Sequence, residues 1–275
     1  MVIGLDGASP DLLFRWIKED RLPNLKRIYD SGAKGILKST TPPVTAPAWT
    51  SFMTGVSPGK HGIYDFILKK RNSYDYVPVN STFRKYPAFW DVASSYGKKV
   101  FVANVPSTYP PNKVNGIMIS GMLTPSLDST FTHPPELSNL LRRGGYRITP
   151  EKVYEEGNEN ELLEDLIQTL IQRTEIILEL MDEVDWDLFV YVIYETDTVC
   201  HWFWRYMDPS HPYFVREKHK EFGDAILKVY RMADKYVGKI VEKADEDTVI
   251  FIVSDHGMGP LHGSIYINNW LMEKG

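Results

Sequence analysis

The chain has 275 residues, of which 43% are hydrophobic, 13% aromatic and 24% charged, with a formal net charge of -5 at pH 7. That length buries a sizeable core and fits one large α/β domain, or one domain with an insertion, and the mild mixed charge gives no support for a nucleic-acid or membrane-surface binder. A single cysteine, Cys200, excludes an internal disulfide framework, no apolar run reaches membrane-spanning length, and no leader precedes the first strand, so the expected location is cytoplasmic.

Val2–Leu5 reads as a short buried strand ending at Asp6-Gly7. Pro10 to Tyr29 has helical spacing, closed by Gly32, and Ala33 to Lys38 reads as a second strand. Ser39 to Phe66 mixes Thr, Ser, Pro and Gly with Trp49, Phe52, Met53, Ile63 and Phe66, more large apolar groups than a linker carries. Pro42, Pro43 and Pro47 fix the backbone around Thr45, and Ala46 to Thr54 can then run as a helix. The Thr45 hydroxyl stands at that helix's N-terminus, where free N–H groups favour an anion. Taken alone, Thr45 could equally be a helix cap.

Further on, Pro87 to Tyr96 predicts a helix and Val100 to Val105 a strand. From about residue 112 to 158 the pattern weakens, with a short strand near Ile117 to Ser120 and a helix near Pro135 to Arg143; this stretch reads as an insertion or lid over the main sheet. Glu159 to Glu183 is amphipathic, with Leu162, Leu166, Leu170 and Ile177 on the buried side. Asp187 to Glu195 and Thr248 to Ser254 are continuous apolar strands, and Tyr213 to Ala244 is helical with a break near Gly223. Asn268 to Lys274 starts a helix with nothing after it to pack on, so the domain reads as C-terminally incomplete.

Alternating strands and helices predict an α/β fold, a mostly parallel central sheet with helices on both faces. Three strands end in aspartate: Asp6, Asp197 and Asp255, the last followed by His256. The C-terminal ends of parallel strands share one rim, where open α/β folds bind ligands. Carboxylates gathered there repel one another, and a cation relieves the repulsion. Asp197 and His201 at i, i+4 share a helix face. The donor set of oxygens and imidazoles, without thiolate, suits zinc or manganese, with iron as a third option, and five ligands exceed one tetrahedral ion, which suggests two. A Thr hydroxyl beside such a site can attack phosphorus or sulfur in line, a second metal stabilising the leaving oxygen.

These blocks carry a resemblance. Gly4-Leu-Asp6-Gly7, Thr45-Ala-Pro47 with Thr54-Gly55 and Pro58-Gly-Lys-His61-Gly-Ile, Asp197-xxx-His201, and Ser254-Asp255-His256-Gly257 together resemble the alkaline phosphatase superfamily, and within it the type I phosphodiesterase/nucleotide pyrophosphatase family. The resemblance implies an alkaline phosphatase-like catalytic domain with two zinc ions. One would be held by Asp6, Thr45, Asp255 and His256, the other by Asp197 and His201. It further implies that Thr45 is the nucleophile, forming a phospho-enzyme that water hydrolyses. The implied substrate is a small phosphate diester or pyrophosphate, a nucleotide among the candidates, with neither a nucleic-acid duplex nor a membrane as partner. Two departures stand out. The family's second zinc takes another histidine well downstream, whereas only His262 follows here, close to His256; and Tyr64-Asp65-Phe66 stands where nucleotide pyrophosphatases place a phosphate-holding Asn. A phosphomonoesterase or phosphomutase of the same superfamily, or a fragment that binds metal or phosphate without turnover, are the alternatives. Thr45 in place of Ser counts against the phosphomutase. Asn104 and Tyr109 are further rim candidates, His61 reads as structural, and His133, His211 and His219 as solvated.

Overall fold

A computed structural model describes residues 1–275. In chain order it forms β1 (Val2–Leu5), α1 (Pro10–Lys18), α2 (Pro23–Ser31), α3 (Thr45–Thr54), α4 (Pro58–His61), the hairpin β2 (Ile67–Lys69) and β3 (Tyr76–Pro78), and α5 (Phe89–Ser95). Then come β4 (Val100–Val105), β5 (Gly116–Ser120), β6 (Thr132–His133), α6 (Leu137–Arg143), α7 (Glu159–Glu183) and β7 (Leu188–Ile193). The last elements are α8 (Glu195–Met207), α9 (Arg216–Phe222), α10 (Ala225–Val241), β8 (Phe251–Val253) and α11 (Ile267–Lys274).

Six strands make one sheet in the order β6-β5-β4-β7-β1-β8, parallel except for β6. The central strands are apolar along their whole length because helices cover both faces. Successive side chains alternate between two cores. On one face Ile3, Leu5, Phe101, Ala103, Phe189, Tyr191 and Ile193 pack with α1, α2, α7, α8 and α10. On the other, Val2, Val100, Val102, Val190 and Val192 pack with Trp49 and Met53 of α3 and Trp90 of α5. Small valines there leave room for the two indoles. Gly4 goes further: a Cβ would lie 2.3 Å from Trp49 Cη2, so only glycine lets α3 sit this close to β1.

The helical stretch from Pro10 to Tyr29 is two helices. Asp20 adopts φ 57° and Pro23 opens α2, and a proline there has no N–H to continue the α1 ladder. Ala33–Lys38 is not a strand; Ile36 and Leu37 are 77% and 72% exposed, and no neighbouring strand offers them partners. Residues 112–158 both extend the sheet and pack onto one of its faces, where Phe131, Leu141, Tyr146 and Ile148 join the core. Their β5 and β6 lengthen the sheet, with Ile117 and Ile119 filling one core and Met118 the other. β8 is shorter than expected and only partly covered, since it is the edge strand, and α11 buries nothing. No helix is long and apolar enough to cross a membrane.

Candidate active site and metal centre

The C-terminal ends of β1, β7 and β8 are adjacent, which brings their trailing residues together. Asp6 follows β1 and is fully buried. Its Oδ2 accepts from the Trp49 indole N–H at 3.1 Å, and its Oδ1 has no partner. Asp255 follows β8; its Oδ1 accepts from the Gly7 N–H at 3.2 Å, while Oδ2 has none. Ser254 ties these turns together, its hydroxyl accepting from Ala8 N–H at 3.0 Å and donating to the His256 carbonyl at 2.7 Å.

His256 Nδ1 lies 3.0 Å from the Gly257 carbonyl, a partner that can only accept, so the proton belongs on Nδ1 and Nε2 presents a lone pair. That Nε2 lies 3.3 Å from Asp255 Oδ2, 3.5 Å from Asp6 Oδ1 and 4.0 Å from Asp197 Oδ1. Thr45, the first residue of α3, is buried, and its hydroxyl donates to His256 Nε2 at 3.1 Å. Val44 before it is extended (φ −125°, ψ 144°) and takes the first helical bond on its carbonyl, from Ala48 N–H. The Ala46 N–H has no helical acceptor at this end, and Pro47 has no N–H at all.

Asp197 sits in the first turn of α8. Its Oδ2 is 3.3 Å from His201 Nε2 one turn along, and its Oδ1 is unpartnered and faces the cluster. Thr196 donates to the Asp6 carbonyl at 2.6 Å, fastening α8 to the end of β1. Gly7 makes this approach possible: it holds φ +62°, and a Cβ would meet Asp197 Oδ1 at 2.7 Å.

The electrostatics follow from this crowding. Burial, then the Asp255 and Asp197 charges, push the Asp6 carboxyl well above its ordinary range. Burial pushes Asp255 up too, opposed by His256. Donating a hydrogen bond to the Asp197 carboxylate raises the pKa of His201 against the opposing effect of burial. Asp6 Oδ1, Asp197 Oδ1 and Asp255 Oδ2 are all buried without a hydrogen-bond partner. Ligand atoms of Asp6, Asp197 and His256 lie within 4.8 Å of one another. Orphaned carboxylate oxygens beside an imidazole lone pair are what a divalent cation takes up, so the residues present fit one.

Thus Asp6, Thr45, Asp197, Asp255 and His256 converge, with His201 on the outer, more exposed side of Asp197. His262 is exposed and stands near His211. Asn104 is buried at φ 58° with its amide donating to Val192 carbonyl at 2.7 Å, and Tyr109 contributes its carbonyl to Ser81 N–H. His61 is buried in the Gly-rich turn between Ser51 and Ile63 N–H. His211, expected to be solvated, is buried instead and accepts from the Tyr213 N–H, whereas His219 is exposed as expected, with its Nδ1 2.7 Å from the Tyr206 carbonyl. Cys200 is buried, and burial pushes its thiol up. Sequence reading missed the supports: Trp49 as a donor, Gly7 as a cradle and Thr196 as a fastener. Only the Asp6-Gly7 dipeptide hinted at any of them.

The profile of the type I phosphodiesterase / nucleotide pyrophosphatase family matches residues 1–275. The chain belongs to that family. Its fold is that of the alkaline phosphatase superfamily. Among solved structures it is similar to phosphonoacetate hydrolase from Sinorhizobium meliloti 1021 in two complexes. With phosphonoformate the TM-score is 0.67 at 21% identity, covering 99% of this chain and 60% of that one. With phosphonoacetate the TM-score is 0.66 at 20% identity, covering 99% and 61%. The chain therefore spans about three fifths of the length of these relatives. No curated protein matches the sequence.

Proposed function

We propose that this member of the phosphodiesterase family hydrolyses phosphate diesters or pyrophosphates of small molecules, with Thr45 as the nucleophile and two divalent ions, zinc or manganese, as cofactors. The observation that carries the proposal is the Thr45 hydroxyl, 3.1 Å from His256 Nε2 and beside carboxylate oxygens that nothing in the protein satisfies. Asp6, Thr45, Asp255 and His256 would hold one ion, and Asp197 with His201 the other. When bound, such ions ease loss of the hydroxyl proton and neutralise charge on phosphoryl oxygens.

The protein's own part is positional and covalent. The N-terminus of α3 offers the Ala46 N–H and its partial positive charge to a phosphoryl oxygen. Thr45 Oγ1 then bonds to phosphorus as the bond to the leaving oxygen breaks, and the leaving group departs with the electron pair and a proton. Water attacks the phosphothreonine, the P–Oγ bond breaks, and Oγ1 regains a proton while the phosphoryl product leaves. Burial of Thr45 and Asp6 keeps competing water away from the nucleophile.

The test is metal analysis with assay on an aryl phosphodiester and an aryl phosphate, wild type against Thr45→Ala. Metal-dependent diester cleavage that Thr45→Ala abolishes is expected. Wild type that binds no metal and cleaves neither ester would sink the enzyme reading, and preference for the monoester would sink the diesterase assignment. Full activity in Thr45→Ala would remove Thr45 from its role.

A further inference from the structure

Behind the site lies a buried ion pair. Arg173 of α7 and Glu195, the first residue of α8, are both 0% exposed. Arg173 Nη2 donates to both Glu195 oxygens at 2.7 and 2.6 Å, its Nε to the Tyr191 hydroxyl at 3.2 Å, and its Nη1 to the Ile148 carbonyl at 3.2 Å. The Tyr194 hydroxyl donates to the same carbonyl at 2.8 Å, and the guanidinium lies over the Tyr194 ring, 4.8 Å from its centroid. Every polar group of the pair is satisfied, yet a buried pair is weak evidence for stability, because apolar residues of similar volume often serve as well or better.

What the pair does hold is a direction. Tyr194, Glu195 and Thr196 are each fastened by a side chain, the first two into the core around Arg173 and the third to the Asp6 carbonyl. Asp197 is the next residue, and its N–H bonds the Tyr194 carbonyl at 3.1 Å. Its Oδ1 is turned toward Asp6, whose charge repels it, so a first turn free to fray would swing Asp197 outward to solvent. We propose that Arg173–Glu195 is a positioning pair. It holds the start of α8 against that repulsion so that Asp197 and His201 are set in place before an ion arrives. The proposal rests on the metal-binding reading above.

Titration with cobalt(II), followed by visible absorption and calorimetry, tests it. His201→Ala first identifies the binding step that belongs to the Asp197–His201 ion. In Arg173→Met/Glu195→Leu that step should weaken on the order of tenfold or more, the scale seen when groups orienting metal ligands are lost. The other step, the circular dichroism and the melting temperature should stay close to wild type. Unchanged affinity at both steps, or equal loss at both with a lowered melting temperature, would overturn the proposal by reducing the pair to packing. If the double variant does not fold, Glu195→Gln gives the same comparison: it keeps the shape and drops the charge, and selective weakening of the same step is again expected. Wild type that takes up no cobalt would remove the metal reading itself, and the positioning role with it.

Discussion

Gly7→Ala probes how closely β1 and α8 must approach. Gly7 holds φ +62°, and a Cβ would lie 2.7 Å from Asp197 Oδ1, 2.9 Å from Asp197 Cβ and 3.1 Å from its Cα. Two costs are therefore combined, and Gly97 separates them. Gly97 holds φ +77°, and a Cβ there would meet nothing within 4 Å, so Gly97→Ala carries the backbone cost alone. A residue with Cβ in the left-handed region costs about 1–2 kcal/mol, and each kcal/mol lowers the melting temperature of a domain this large by about 2–4 °C. Gly97→Ala should accordingly melt a few degrees lower with wild-type turnover. In Gly7→Ala the nearest contact is an oxygen at 2.7 Å and the next ones reach the main chain, so Asp197 has to move by several tenths of an ångström. Since about 1 Å of misplacement can cost on the order of a hundredfold in rate, a loss of roughly tenfold in kcat is expected, with weaker metal binding. Thermal melts, metal titration and turnover of an aryl phosphodiester measure all three. If Gly7→Ala matches Gly97→Ala in turnover and metal affinity, the crowding between Gly7 and Asp197 is not what shapes the site.

Three further expectations come from the same geometry. Trp49→Phe removes the donor to Asp6 Oδ2 and should cost about 1–3 kcal/mol more in denaturant unfolding than Trp90→Phe, whose buried indole N–H has no partner to lose; equal costs would refute a role for that bond. Asp6 and Asp255 hold their protons more tightly folded than unfolded, so the metal-free protein binds more protons in the native state. Its stability should then fall as pH rises from the ordinary carboxylate range through their raised range, and added zinc or manganese should raise the melting temperature more at pH 8 than at pH 5. A metal-induced shift that is larger at the lower pH would contradict this. Cys200, buried with its thiol pushed up, should react with a thiol reagent only at the rate of unfolding, and fast labelling of native protein would show the pocket around it to be open.

The strand-terminal aspartates were legible because a run of apolar residues ending in Asp needs only local pattern to be noticed. Parallel topology then does the rest, since it sends every strand's C-terminus to one rim. Asp197 lies past the end of β7 in the first turn of α8, and its relation to His201 was legible for a different reason, since helical spacing fixes it. The departures from the sequence reading have separate causes. Ile36 and Leu37 look like strand residues in isolation, but only a neighbouring strand makes a strand, and none is there. The weak pattern of residues 112–158 hides a sheet extension because β5 and β6 are short and separated by turn-rich chain. The tethers were invisible for a third reason. Trp49 to Asp6, Thr196 to the Asp6 carbonyl and Arg173 to Glu195 join residues far apart in sequence, and no local periodicity marks a partner at such a distance.

The direct test of the central claim is to quench metal-loaded protein in acid during turnover of an aryl phosphodiester and map the modified peptide by mass spectrometry. A phosphoryl ester on Thr45, absent from Thr45→Ala treated identically, is the expected result. Turnover with the ester on any other residue, or with no covalent adduct and inversion of configuration at a chiral phosphorus, would contradict it.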